Sequence, residues 1–309
     1  MKSGFDNSGR KSGFVAILGL PNVGKSTLMN RLIGQKIAIT SYKPQTTRSR
    51  IRTIYTDERG QIIFVDTPGV HTPDSGLGRY MYRASTGVIR DADLVLFLTE
   101  AKKTWKEEDE QMIALLKEAK APVILVINKI DRVKKEELLP IISAVSGKLP
   151  FAEIYPVSAR EGEGTDELLA GIFAHLPVGE PFYDEDMVTT ETERDIVAEI
   201  VREKALRLLQ EEVPHGIAVT VEKMKDRKTG SGDDICDIEA TIICEKESHK
   251  GIIIGKGGRM LREIGTNARR DIENMLQRRA ALHLYVKVRG EWRDSDAQLK
   301  HFGYDIRKI

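Results

Sequence analysis

Cysteine is nearly absent: the 309 residues contain two, Cys236 and Cys244. Two thiols in one predicted strand supply neither a disulfide framework nor a zinc cluster, so both are expected as buried, reduced side chains. No apolar run approaches the roughly 20 residues of a membrane-spanning helix. No signal-peptide pattern opens the chain, so a cytoplasmic protein is expected. Internal repeats and low-complexity tracts are also missing. Net charge is scarce too: 48 Lys and Arg stand against 47 Asp and Glu, leaving +1. Charge over the whole chain therefore says nothing about nucleic acid, and any basic surface must be local. With 40% hydrophobic and 31% charged residues, the chain is globular and long enough for two domains, each with its own core.

What is present is organised around Gly19-Leu20-Pro21-Asn22-Val23-Gly24-Lys25-Ser26, a match to the phosphate-binding loop G-x-x-x-x-G-K-[ST]. A short apolar run, residues 14–18, precedes it as a predicted strand. From Thr27 to Ile33 apolar residues recur at helical spacing, and Gly34 offers a stop. Strand, glycine loop and helix form the context that such a loop needs. Phosphates need many N–H donors converging on a small volume, and a loop opening a helix supplies them with the helix's positive end. Lys25 is expected to bridge the β- and γ-phosphates, and the Ser26 hydroxyl to ligate Mg²⁺.

Three further stretches follow predicted strands. Asp66-Thr67-Pro68-Gly69 follows the strand 61–65; its carboxylate suits the Mg²⁺ shell and the Gly69 N–H the γ-phosphate. Asn128-Lys129-Ile130-Asp131 follows the strand 123–127. Asp131 suits guanine N1–H and the exocyclic amino group, Asn128 the other base edge, and the Lys129 stem the ring face. Ser158-Ala159-Arg160 follows the strand 154–157, with the Ala159 N–H suited to guanine O6. A buried polar match of this kind discriminates strongly and selects GTP over ATP. Ligands bind at strand C-termini in open α/β sheets, so the order of these stretches counts as much as their letters. Between helix and second strand, residues 41–48 include Thr46 and Thr47. Of these, Thr47 is the preferred ligand of Mg²⁺ and γ-phosphate in a segment that orders with GTP. Val70 stands where the best-known regulatory GTPases carry a water-orienting Gln, so slow intrinsic hydrolysis is expected, with help from a partner or potassium. The neighbouring His71 is expected as an exposed loop residue.

Helices are predicted at 77–90, 107–120, 136–149 and 165–175, and strands at 51–56 and 94–98. Residues 57–60 form the hairpin turn between strands 51–56 and 61–65. The fold class is α/β: a mostly parallel sheet with one antiparallel edge and helices on both faces. Residues 1–12 are expected as a frayed tail and 13–178 as the first domain. The acidic connection 179–190 is expected to let a second domain, 191–309, move. In that domain a helix is predicted at 193–210, strands at 216–225, 235–245 and 282–288, and a long helix ending near 279. Its centre is Ile254-Gly255-Lys256-Gly257-Gly258-Arg259 with Arg262, the form of a KH core, in which a Gly-x-x-Gly loop lets a single-stranded backbone pass close. Leu261, Ile264, Ala268, Ile272 and Met275 are expected as its buried stripe. Residues 250–289 hold ten Lys or Arg against three Asp or Glu, a net of +7, while 191–249 hold nine against fifteen. Phosphate binding leaves such an asymmetry.

Taken together with residues 34–41, 44–48 and 290–304, these motifs resemble the Era family of bacterial ribosome-assembly GTPases over nearly the whole chain. The resemblance implies a P-loop GTPase domain followed by a smaller α+β type II KH domain. It also implies a monomer that binds GTP or GDP with Mg²⁺ and turns GTP over with Lys25, Thr47, Asp66 and Gly69. The implied partners are the 3′ end of 16S rRNA and the 30S subunit, with a peripheral fraction at the inner membrane face. The competing reading is an RNA-binding module whose nucleotide is structural.

Overall fold

A computed structural model describes residues 9–305, except 41, 42, 44, 45, 70–74, 103, 229, 231 and 233. Six strands form the first sheet: β1 (Lys11–Leu18), β2 (Ile51–Asp57), β3 (Gly60–Asp66), β4 (Leu94–Glu100), β5 (Val123–Asn128) and β6 (Glu153–Pro156). Their order is β2-β3-β1-β4-β5-β6. Only β2 runs antiparallel, paired to β3 across the hairpin turn. Alternate side chains of a strand face opposite ways, and here both ways lead into core. Val15 and Ile17 pack with α1 (Lys25–Ile33) and α5 (Thr165–His175). Ala16 and Leu18 pack with α2 (Gly76–Asp91), α3 (Glu107–Leu116) and α4 (Lys135–Ser146). Strands buried on both faces must be continuously apolar, as 94–98 and 123–127 are.

The second sheet is β7 (Ala218–Lys228), β8 (Asp234–Cys244) and β9 (Arg279–Val288), with β8 central, antiparallel to β7 and parallel to β9. Two long helices, α6 (Glu193–Leu208) and α8 (Arg259–Leu276), cover one face, and the short α7 (Glu247–Ile254) precedes the glycine loop. Thr192 caps α6 by accepting from the Asp195 N–H at 3.2 Å. Along α8 the buried residues are Ile264, Ala268, Ile272 and Leu276, a four-residue period. Leu276 thus takes the place expected of Met275, and Leu261 is only partly buried. Cys236 and Cys244 are buried, free thiols, and burial pushes Cys244 up to about 11.

Several boundaries differ from expectation. β1 begins at Lys11, inside the expected tail, because its backbone pairs with Gly60 and Gln61 of β3. α3 stops at Leu116 rather than 120, since the chain must extend before Pro122 to enter β5. α8 ends at Leu276, where Gln277 turns to a φ of 53°, and Arg279 already pairs with Ile235.

The connection 179–190 is not a free tether. The Gly179 N–H donates to Arg10 O at 3.0 Å and the Ile54 N–H to Val188 O at 2.9 Å. Buried Gln61 accepts from the Phe182 and Tyr183 N–H groups at 2.8 and 3.0 Å. The connection thereby covers the outer edge of β2, which would otherwise present unpaired backbone groups. Beyond β9 the chain packs back against α2 through α9 (Asp296–His301) and its neighbours. Trp292, Leu299 and Tyr304 join Leu77, Tyr80 and Met81 in one buried cluster.

Between the two sheets lies a cleft of about 440 Å³ whose lining includes Arg50, Arg52, Glu191, Asp195 and Glu199. Burial, then the like charges of Asp195 and Glu199, push Glu191 up to about 7, against the pull of Arg52. The folded chain therefore holds this proton more tightly than the unfolded chain. Its ionisation opposes folding as pH rises from the ordinary carboxylate range through about 7. Glu191→Gln is expected to raise the unfolding temperature near pH 8 and leave it unchanged near pH 4, where both side chains are neutral; thermal unfolding at the two pH values checks this.

Candidate functional site

Because β1, β3, β4, β5 and β6 are parallel, the loops after their C-termini open at one edge of the sheet. The glycine loop turns there by the left-handed backbone of Asn22 (φ 66°) and Gly24 (φ 101°), and α1 starts at Lys25. A side chain at Gly24 would strike the Asn128 amide, and one at Gly69 would sit 2.8 Å from Pro21 Cγ. Both positions need glycine for the loops to close on each other. The resulting cleft measures about 610 Å³, a ligand-sized volume. Pro21, Asn22, Gly24, Lys25, Ser26, Thr27, Thr47, Gly69 and Lys129 all line it.

At its floor, Asp66 has no exposed surface. Its Oδ2 accepts from Ser26 Oγ at 2.8 Å and from Thr47 Oγ1 at 3.4 Å, and the two hydroxyls lie 3.1 Å apart. Among the described residues its Oδ1 is buried without a hydrogen-bond partner. Thr46 is not part of this group, since its hydroxyl donates to Lys43 O at 2.6 Å. The Lys25 ammonium reaches back to the Gly19 and Leu20 carbonyls at 3.0 and 3.2 Å. Burial pushes Lys25 down to about 8 and Asp66 upward, each opposed chiefly by the charge of the other. A hard cation fits here: the set offers three oxygen side chains, and the unpartnered carboxylate oxygen is the group that gains most.

The remaining motif residues divide by role. The Asn128 amide donates to Val23 O at 2.8 Å, and its carbonyl accepts the Ala159 N–H at 3.0 Å. Asn128 therefore braces the glycine loop against the 158–160 loop, and one amide hydrogen remains for a ligand. The Ala159 N–H, expected to face guanine O6, is turned onto this brace instead. Ser158 Oγ donates to Asp131 Oδ1 at 2.7 Å and so orients the exposed Asp131 carboxylate rather than reaching the cleft. Lys129, at φ 65°, donates to Asn22 O at 2.6 Å and pairs with Glu100. The Thr67 hydroxyl is buried against Ile17 O at 2.8 Å, and Pro68 and Val23 are also buried; these three shape the site from within the core. Ile130 starts a short 3-10 turn, residues 130–132, and Leu20 packs partly buried against the core. Val70 and His71 lie outside the described residues.

The sequence reading missed part of the wall. Arg207 of α6, from the second domain, lines the cleft with Ile39, Thr40 and Lys43, and donates to Thr40 O at 2.8 Å. Arg31 on α1 holds the 158–160 loop through the Ala159 carbonyl at 3.3 Å. No motif carries either residue; each matters through packing alone.

The second candidate site lies at Gly255–Gly258, far downstream of the first domain's last helix, which ends at His175. Gly255, Gly257 and Gly258 all have positive φ, 71°, 60° and 74°, and a Cβ on Gly255 would lie 2.8 Å from that of Met260. Lys256, Arg259 and Arg262 are exposed around this loop, with Ile254 partly buried. A groove of about 350 Å³ runs from Gly258 along α8 to β9, between Arg262, Arg269, Leu282 and Leu284. Arg269 and the two leucines extend the surface beyond the glycine loop that the sequence singled out.

Asn128→Ala is expected to lower stability by about 2–6 kcal/mol, because two buried backbone groups lose partners at about 1–3 kcal/mol each. Equilibrium urea unfolding checks it.

The family model of the 50S ribosome-binding GTPase matches residues 14–129, and that of the KH domain matches residues 212–293. GTPase Era of Lacticaseibacillus paracasei is 49% identical over 298 residues, covering 96% of this chain and 98% of its own. GTPase Era of Clostridioides difficile is 48% identical over 296 residues, covering 96% and 99%. A crystal structure of a variant of Aquifex aeolicus Era bound to GDP·AlF4⁻ is similar with a TM-score of 0.91 at 42% identity, over 96% of this chain and 99% of the other. A crystal structure of Era with MgGDPNP and nucleotides 1506–1542 of 16S ribosomal RNA gives the same four figures. With about half of all residues shared across nearly the full length of both chains, and the two parts in the same order, the chain belongs to the Era family of GTPases.

Proposed function

We propose that this chain binds GTP and GDP with Mg²⁺ in the 610 Å³ cleft, hydrolyses GTP, and holds the 3′ region of 16S rRNA on its second domain during maturation and assembly of the 30S subunit. The carrying observation is the buried, unpartnered Asp66 oxygen beside the Ser26 and Thr47 hydroxyls. Bound there, Mg²⁺ would neutralise phosphate charge and charge developing in transfer. Ser26 and Thr47 offer it their oxygens, and Asp66 supplies the counter-charge. Backbone N–H groups of residues 22–27 cradle the phosphates, and Lys25 moves from the loop carbonyls onto them. Gly69 offers its N–H to the γ-phosphate without obstructing Pro21. Asp131, held by Ser158, accepts from the guanine base while Asn128 donates its remaining amide hydrogen.

The RNA assignment rests on the glycine loop, the groove beside α8 and the basic residues Lys256, Arg259 and Arg262. The relative solved with a 16S rRNA segment supports it. The domain limits, 13–178 and 191–309 joined by 179–190, belong to the same proposal. Potassium dependence is proposed from Val70 and a cytoplasmic location from the missing signal-peptide pattern, whereas a monomeric state and a peripheral membrane fraction enter through the family resemblance. Among the described residues no helix is long and apolar enough to cross a membrane.

Single-turnover GTP hydrolysis with Mg²⁺, with and without a 16S rRNA 3′ fragment and potassium, tests the switch. Slow turnover that the fragment or potassium accelerates is expected. Nucleotide bound tightly but never cleaved under any of these conditions would leave the structural-nucleotide reading standing. On the RNA side, Lys256→Glu with Arg259→Glu should weaken fragment binding and reduce its log–log salt slope by about 1.4, the share of two phosphate contacts on a single strand. Titration across salt concentrations reads the slope, and an unchanged slope would move the RNA surface elsewhere.

A further inference from the structure

Of the three oxygen side chains at the cation site, two sit on rigid elements. Ser26 is in the first turn of α1 and Asp66 ends β3. Thr47 lies in residues 35–50, where the described positions form no helix or strand. Its hydroxyl must therefore be placed by its chain neighbours, and both neighbours are fastened to the second domain. The Thr46 carbonyl accepts from the Arg202 guanidinium of α6. The Arg48 guanidinium donates to the His215 carbonyl at 3.0 Å and to that of Ile217, and lies 5.8 Å from the centre of the Trp292 ring. Arg48 and Arg202 are 2% and 1% exposed.

Burying two guanidinium groups between domains carries a large desolvation cost, offset only by good geometry and specific partners. Arg202 has such a partner in Glu199, at 2.8 Å from Nε. Arg48 has carbonyls, the Tyr304 hydroxyl and an aromatic face, with the Glu199 charge acting from further off, but among the described residues no carboxylate is paired with it, so stability alone explains it poorly. We infer that Arg48 and Arg202 are positioning residues: they set the Thr47 hydroxyl at the Ser26–Asp66 site by locking its two flanking residues onto the second domain. The inference rests on the nucleotide reading of that site. Further back in the same segment, Lys36 pairs with Glu203 and Asp271 at 2.7 and 2.8 Å, and Arg207 holds Thr40. The second domain thus grips the segment at both ends, and Asp271 belongs to α8, the helix that borders the RNA groove.

The test uses the full chain and the variants Thr47→Ala, Arg48→Met, Arg202→Met and Thr47→Ala with Arg48→Met. Methionine keeps volume in the socket while removing the donors. Two readouts need no turnover: the affinity ratio of a non-hydrolysable GTP analogue to GDP, and amide hydrogen exchange of residues 46–50 without nucleotide. Each Arg variant should lower the ratio by about tenfold, with GDP affinity within about twofold of wild type, a coupling of ordinary size. Exchange at 46–50 should accelerate in both. The double variant should be no worse than Thr47→Ala alone, since Arg48 acts through Thr47. An unchanged ratio with unchanged exchange, additive losses, or an equal fall in GDP affinity would each overturn the inference. If Thr47→Ala itself left the ratio unchanged, the assignment of Thr47 to the cation site would fall and the inference with it. Loss in Thr47→Ala without loss in the Arg variants would sink the inference alone.

Discussion

A carboxylate with no exposed surface, and one oxygen lacking any partner, is the constraint on which the first domain turns. Asp66 can be ionised there only beside positive charge, because burial otherwise drives it toward the neutral acid. Among the described residues Lys25 brings the opposing charge to it, and burial works against that charge as well. The pair is poised for a ligand that carries both a hard cation and phosphate. Everything around it serves that arrangement. The parallel strands bring β1 and β3 to a common edge, α1 starts where the loop ends, and Asn128 ties the loop to the far side of the site.

The second domain is more than a cargo-binding appendage. Its first helix supplies Arg202 and Arg207 to the segment that carries Thr47, and its C-terminal residues pack on α2, the helix that follows Asp66-Thr67-Pro68-Gly69. Both segments that change with nucleotide in P-loop switches therefore touch the RNA-binding half. With the connection 179–190 bonded along β1 to β3, any change between the halves must act through these contacts rather than through a slack tether. Any coupling through them would, by linkage, be reciprocal, whichever ligand binds first.

At the groove proposed for RNA the same economy of parts appears. Three glycines with positive φ bring two helices close together, and α8 presents basic residues on one side while its buried stripe packs on the sheet. The groove beside it is walled by leucines of β9 and by Arg262 and Arg269, apolar faces for bases and charges for the backbone.

The local sequence decided whatever depends on spacing within one stretch. The loop from Gly19 to Ser26, the three further stretches at strand ends, the doubly buried strands and the Gly255–Gly258 turn were all legible, because each is a short pattern with its own physical cause. The preference for Thr47 over Thr46 came from the sequence; the structure sets the Thr47 hydroxyl beside Ser26 and Asp66 and the Thr46 hydroxyl on Lys43 O. Contacts between distant residues were not legible. Asn128 as a brace, the Ala159 N–H turned onto it, Ser158 behind Asp131, and the buried Arg48 and Arg202 follow from which segments meet, not from any motif. Pairing across the sheets likewise set where β1 and β9 begin and held 179–190 in place. Hydrogen bonds and burial between residues far apart in the chain leave no periodic trace in the sequence, so only the tertiary structure could decide them.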